Sequence, residues 1–118
     1  MPKILVVDQD LYALERYKEL FSKAGFDTHI AEDATSALSK FGEVKPDLVV
    51  LDEELPGGGG RMVLESLRNN FMSKVPVLFI AADTGTISDF LDAPGVYIAK
   101  EDFLTQALPL AIKKILNI

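Results

Sequence analysis

Five short apolar segments alternate with longer segments of helical periodicity, and this alternation limits the possible folds more than any other feature. The apolar segments are rich in β-branched residues, which is typical of strands: KILVV (3–7), DTHIA (27–31), DLVVL (47–51), VPVLFIA (75–81) and GVYIA (95–99). Because a helix-length segment separates each strand from the next, the connections are crossovers and the strands run parallel. The sequence therefore predicts an α/β fold with a five-stranded parallel sheet, doubly wound.

Capping and stop signals place the first three helices. Asp10 precedes an apolar pattern of helical spacing that runs from Leu11 to Ala24, and Gly25 follows as a stop; Asp33 is the predicted N-cap of the second helix. The glycine run GGGG (57–60) precedes the third helix. It lacks the GK[ST] ending of a phosphate-binding loop, so we interpret it as a flexible turn.

Two segments fit the alternating scheme less well. Between the fourth and fifth strands, ADTGTISDFLDAP (82–94) leaves room for about two helical turns, so the fourth helix is expected to be short or irregular. In the last segment, Pro109 would cost about 3 kcal/mol inside a helix capped at Asp102. A cap at Thr105 places Pro109 in the first turn, where proline is tolerated.

Composition excludes several classes of function. The 118 residues carry 12 basic and 18 acidic side chains, a net charge of −6, so no basic surface for nucleic acid or anionic membrane is expected. No apolar run approaches the roughly 20 residues of a membrane span, and MPKILVVDQD has no secretory signal pattern. With no cysteine and one histidine, thiolate chemistry and a histidine-cluster metal site are ruled out. We expect a single cytoplasmic domain over residues 1–118.

Charged residues cluster where the predicted strands end. Asp8 and Asp10 follow the first strand, Asp52 follows the third, and Lys100 follows the fifth. In an open parallel sheet, ligands bind outside the carboxyl ends of the strands. If strands one and three are neighbours, Asp8 and Asp52 share a pocket, and Mg²⁺ is the natural partner of converging carboxylates. Lys100 would add a positive charge for an anion. We interpret Asp10 as a helix cap.

At these residues the chain resembles the receiver domain of bacterial two-component response regulators. The most specific stretch is PDLVVLDEELPGGGG, which keeps the family's acceptor position and the glycine at Gly60. The resemblance implies the flavodoxin-like strand order 2-1-3-4-5. It further implies that Asp8 belongs to an acidic pair that binds Mg²⁺, that Asp52 accepts a phosphoryl group, that Lys100 contacts the phosphate and that Tyr97 is a switch aromatic.

The resemblance also implies the partners and the kind of activity. A histidine kinase or a phosphotransfer protein would donate the phosphoryl group, and a downstream protein or output domain would read the signal. The chain would be a signalling phosphoacceptor rather than an enzyme that acts on other molecules. We expect no direct binding of nucleic acid or membrane by this domain.

Several residues depart from the family pattern. Gln9 stands where most members have the second acid, which removes one negative charge and should weaken Mg²⁺ binding. Ala81 replaces a Ser or Thr, so the usual hydrogen bond to phosphate is lost and an atypical switch readout is expected, rerouted through Asp83 or Thr84. Glu54 would contribute its backbone oxygen to the cation, and its carboxylate is a candidate substitute for the one missing at Gln9.

Two other interpretations remain open at this stage. A pseudo-receiver would keep the fold and bind a partner without phosphorylation, as Gln9 and Ala81 both favour. A phosphatase of the haloacid dehalogenase type is also considered, because VVDQD resembles that class's D-x-D motif. Tyr12, however, occupies the position where that motif has Thr or Val, which makes this alternative remote.

Overall fold

The computed structural model describes residues 1–56, 59–81, 93–100 and 107–118. Within these ranges the elements are β1 (Lys3–Val7), α1 (Leu11–Lys23), β2 (Asp27–Ala31), α2 (Ala34–Val44), β3 (Leu48–Asp52), α3 (Gly59–Asn69), β4 (Val77–Ala81), β5 (Val96–Lys100) and α4 (Leu108–Leu116). The segment predicted to hold a short or irregular helix between β4 and β5, with Asp83 and Thr84, lies almost entirely outside the described residues.

The five strands form one parallel sheet in the order β2-β1-β3-β4-β5, which confirms the predicted α/β class and strand order. The third and fifth strands each end one residue later than the sequence pattern indicated. Asp52 pairs with Ile80 and Lys100 pairs with Ala81, so both charged residues belong to the ladder. Polar residues can end a strand in this way because backbone hydrogen bonding is independent of the side chain.

Alternation along the strands divides the core into two layers. On β1, Leu5 and Val7 pack towards α2 and α3, whereas Ile4 and Val6 pack towards α1 and α4. All four side chains are at most 1% exposed. Apolar residues on both faces of one strand are the pattern of a parallel sheet covered by helices on both sides. The carboxyl ends of the strands are the open edge at which polar side chains collect.

The predicted caps of the first two helices are confirmed. The Asp10 carboxylate accepts from the Tyr12 backbone N–H at 3.0 Å. Asp33 accepts from the Ser36 N–H at 2.7 Å, and the Ser36 hydroxyl accepts in return from the Asp33 N–H, which forms a capping box. Gly25, with φ of +91°, ends the first helix as predicted.

Some details of the helices differ from the predictions. Leu11 belongs to the apolar pattern but is 60% exposed, and it is the first residue of α1. The glycine run is not wholly a turn, since α3 begins at Gly59. The N-cap of α4 is Ala107 rather than Thr105, and it makes no side-chain capping bond. Pro109 nevertheless falls in the first turn, as expected. None of the helices in the described ranges is long and apolar enough to cross a bilayer.

Candidate functional site

An acidic cleft of about 260 Å³ opens at the carboxyl edge of β1 and β3. Its described lining residues come from α1, β3, β4 and the turns that follow β1 and β3: Asp8, Gln9, Asp10, Ala13, Tyr17, Asp52, Glu53, Glu54 and Ile80. Five of these nine residues carry carboxyl groups. The cleft is therefore suited to a cation or to a group that a cation accompanies.

Asp8 and Asp52 meet in this cleft because β1 and β3 are neighbours, with Val7 opposite Leu51 in the ladder. Burial raises the pKa of the Asp8 carboxyl, and the charge of Asp10 adds to this effect. Hydrogen bonds with the Asp10 backbone N–H and the Asp52 side chain act in the opposite direction but do not cancel it. Two carboxyl groups this close favour a shared proton or a bound cation.

Backbone N–H groups orient the carboxylates without help from a ligand. Asp8 Oδ1 accepts from the Asp10 N–H at 2.9 Å, and Asp52 Oδ1 accepts from the Glu54 N–H at 3.2 Å. The Glu53 N–H donates to the Ile80 carbonyl at 3.2 Å, which ties the turn after β3 to β4. The acidic side chains are thus held in position by the turns that follow the strands.

The predicted site residues are partly brought together. Asp8, Gln9, Asp52 and Glu54 all line the cleft. Ala81, 2% exposed, lies at the end of the neighbouring strand β4 and faces Lys100 across the ladder. The backbone of Lys100 thus lies at the same edge of the sheet, two strands from Asp52, and its side chain is outside the described part of the chain.

Tyr97 lies away from the cleft, three residues before the end of β5. Its side chain is 42% exposed, so a rotation towards the sheet edge would not require core rearrangement. Its role as a switch aromatic stays a prediction.

Sequence reasoning missed several residues of the cleft. Glu53 is not among the site residues predicted from the sequence, but it is half-buried and lines the cleft. Tyr17 lies within the apolar pattern that runs from Leu11 to Ala24, yet it also forms part of the cleft wall. The signal for Tyr17 was present, since Asp10 and Tyr17 are seven residues apart and therefore share one helix face.

Gly60 explains how α3 approaches the site so closely. A Cβ atom at this position would lie 2.7 Å from the Asp52 carbonyl oxygen and 3.0 Å from a ring carbon of Phe79. The Gly60 N–H donates to the Glu53 carbonyl at 2.8 Å. Any larger residue would push α3 away from β3, so only glycine fits at this position without displacing the helix.

The donor set fits Mg²⁺ if water completes its coordination. In the described ranges, no three side chains among His, Cys, Asp and Glu are grouped closely enough to hold a metal ion. Mg²⁺, however, commonly uses one or two carboxylates and keeps several waters. Asp8 and Asp52 supply such a pair at the carboxyl ends of β1 and β3.

A doubly wound sheet of this order, with aspartates converging at the ends of β1 and β3, has the architecture of a receiver domain. Residues 4–107 match the family model of the response regulator receiver domain. The chain therefore belongs to the response regulator receiver family of two-component signalling.

Named relatives agree with this assignment. The chain is 37% identical over 102 residues to the DNA-binding response regulator MtrA of Mycobacterium tuberculosis strain H37Rv, which covers 86% of the chain and 42% of MtrA. It thus spans less than half the length of the curated relatives it matches.

Solved structures agree as well. The receiver domain of Francisella response regulator 1452 superimposes with a TM-score of 0.89 at 25% identity, covering 99% of this chain and 98% of that one. Vibrio cholerae chemotaxis protein CheY4, at 19% identity, gives a TM-score of 0.87 with 98% of both chains covered, and supports the fold alone.

Proposed function

We propose that this chain accepts a phosphoryl group on Asp52 from a histidine kinase or a phosphotransfer protein, with Mg²⁺ as cofactor. The observation that carries the proposal is the pairing of Asp8 and Asp52 in one acidic cleft. Membership of the receiver family supports it, because phosphoryl acceptance is typical of that family.

The proposed chemistry is a phosphoryl transfer between two side chains. A carboxylate oxygen of Asp52 attacks phosphorus, the bond from phosphorus to the donor imidazole nitrogen breaks, and that nitrogen keeps the electron pair. Bound Mg²⁺ would neutralise charge on the transferring group. Asp8, Asp52, Gln9 and the Glu54 backbone oxygen would hold the cation. Lys100 would contact the phosphate from the end of β5.

The readout of phosphorylation is proposed to be atypical. Ala81 is buried at the end of β4 and has no hydroxyl to draw towards the phosphate. The coupling from Asp52 to Tyr97 would consequently be weaker or follow another route, for which Asp83 and Thr84 remain candidates. Gln9 would lower the affinity for Mg²⁺ because it contributes no charge.

The test compares Asp52 with Asp10, a second aspartate of the same cleft. Wild type, Asp52→Asn and Asp10→Asn are each incubated with acetyl phosphate and Mg²⁺, and the intact mass is measured. Asn can cap α1 as well as Asp does, so Asp10→Asn keeps the fold and alters the same cleft. We expect phosphorylation of wild type and Asp10→Asn but none of Asp52→Asn. Equal labelling of Asp52→Asn would refute the assignment of the acceptor.

A pseudo-receiver is the second candidate function, and two observations favour it. Gln9 removes a charge from the cleft, and Ala81 removes the hydroxyl from β4. In that case the domain would bind its partner without being phosphorylated, and neither Mg²⁺ nor a phosphate analogue would change its amide NMR spectrum. The phosphatase alternative is not pursued, since the chain belongs to the receiver family.

The remaining expectations concern the setting of the protein. We propose that residues 1–118 act as one cytoplasmic receiver domain, a self-directed phosphoacceptor with no catalysis on other molecules. MtrA is a DNA-binding regulator, whereas the net charge of −6 of this domain opposes direct binding to DNA. A downstream protein or an output domain would carry the response.

A further inference from the structure

Tyr17 joins the acidic cleft to the apolar core. It lies on the face of α1 that also carries Asp10 and Ala13, and all three residues line the cleft. One turn further along the helix, Phe21 is fully buried. Tyr17 itself is 8% exposed, so it lies where this helix face passes from the cleft into the core.

The direction of the side chain follows from helix geometry. Helical side chains lean towards the N-terminus of their helix, which for α1 is the end nearest the carboxyl edge of the sheet. The polar tip of Tyr17 is thereby carried towards the cleft while its ring remains in the core. The ring packs on Phe21 with centroids 5.8 Å apart. This packing fixes the phenol at low conformational cost.

The chemistry of the hydroxyl differs from that of the other polar groups in the cleft. The five carboxyl groups that line it only accept hydrogen bonds when ionised, and the Gln9 side chain is exposed. Tyr17 can both accept from a water molecule and donate to a carboxylate. Water bound to a divalent cation is a strong donor and needs acceptors that are held in place.

We infer that Tyr17 is a positioning residue of the cation site, whose hydroxyl accepts a hydrogen bond from a water in the shell of the bound Mg²⁺. This inference rests on the proposed function, because it requires a cation at Asp8 and Asp52. The presence of Gln9 supports the inference, because a site with one carboxylate fewer leaves more water molecules bound to the cation. Groups that hold this water in place then contribute more to the affinity for Mg²⁺.

The experiment uses Tyr17→Phe, which keeps the ring and removes only the hydroxyl. Its control is Tyr12→Phe on the same helix, because Tyr12 is 72% exposed and is not among the cleft residues. Mg²⁺ is titrated into each protein, and the dissociation constant is taken from the backbone amide shifts of Asp8 and Asp52. Wild type labelled with ¹³C at tyrosine Cζ reports on the hydroxyl directly.

We expect Tyr17→Phe to weaken Mg²⁺ binding by about three- to tenfold, the value of one hydrogen bond. Tyr12→Phe should bind as wild type does, and Mg²⁺ should shift the Cζ signal of Tyr17 but not that of Tyr12. If wild type binds Mg²⁺ and Tyr17→Phe binds it equally well, the role of Tyr17 is refuted and the proposed function stands. If wild type binds no Mg²⁺, both are refuted.

Discussion

Replacement of Gly60 by alanine tests how closely α3 approaches β3, the strand that ends at Asp52. The added Cβ would lie 2.7 Å from the Asp52 carbonyl oxygen, about 0.6 Å inside a normal carbon–oxygen contact. It would also lie 3.0 Å from a ring carbon of Phe79 and 3.2 Å from the Glu53 Cα. Two of these three neighbours are backbone atoms, so the first turn of α3 must move as a whole.

The net effect combines two opposing contributions. Overpacking of this kind costs about 1–3 kcal/mol, whereas alanine favours a helix over glycine by up to about 1 kcal/mol. We therefore expect Gly60→Ala to lower the free energy of unfolding by about 1–2 kcal/mol. Because the displaced peptide belongs to Asp52, Mg²⁺ binding should weaken as well.

Gly42 provides the matched control. It lies in α2, is exposed, and its added Cβ would meet only a ring carbon of Phe71 at 3.6 Å, an ordinary contact. Gly42→Ala should therefore stabilise the protein by about 0.5–1 kcal/mol. Urea unfolding followed by circular dichroism measures both variants. The reasoning is refuted if Gly60→Ala unfolds at the same urea concentration as wild type, or if both variants are destabilised equally.

Two further predictions concern the acidic cleft. Burial raises the pKa of Asp8 above its usual value of 3.8. In the absence of divalent cations, the free energy of unfolding should therefore fall as the pH rises from 3.8 through the raised pKa, because the folded state must then ionise a buried carboxyl. Asp8→Asn should lose this pH dependence and should unfold at a higher urea concentration than wild type at pH 7. Equal urea-unfolding midpoints for the two proteins at every pH would contradict this prediction. Glu54→Gln should weaken Mg²⁺ binding if the exposed Glu54 carboxylate substitutes for the acid missing at Gln9. An unchanged dissociation constant in a calorimetric titration would show that only the Glu54 backbone serves the site.

The sequence predicted the sheet well because a parallel sheet covered on both faces needs apolar residues at nearly every strand position. KILVV and VPVLFIA have this composition; β1 forms as predicted, and β4 begins two residues later than predicted, at Val77. Asp10 and Asp33 were equally predictable as caps, since a cap depends on residues close in sequence. The convergence of Asp8 and Asp52 followed from strand order.

Features that depend on distant contacts were not predictable in the same way. The burial of Glu53 is set by how the turn after β3 attaches to β4, through the bond from the Glu53 N–H to the Ile80 carbonyl. The need for glycine at position 60 arises from the approach of α3 to Asp52 and Phe79, which no local pattern encodes. Periodicity identifies the buried face of α1, on which Tyr17 lies, but it does not show where that face meets a cleft.

The most direct test of the central proposal is an amide NMR titration of the wild-type domain with Mg²⁺ followed by beryllofluoride, which mimics a phosphoryl group on aspartate. We predict large shifts at Asp8, Asp52 and Lys100, with weaker changes towards Tyr97 because Ala81 lacks a hydroxyl. The absence of any shift at millimolar Mg²⁺ and beryllofluoride would contradict a working phosphoacceptor site and favour a domain that binds its partner without phosphorylation.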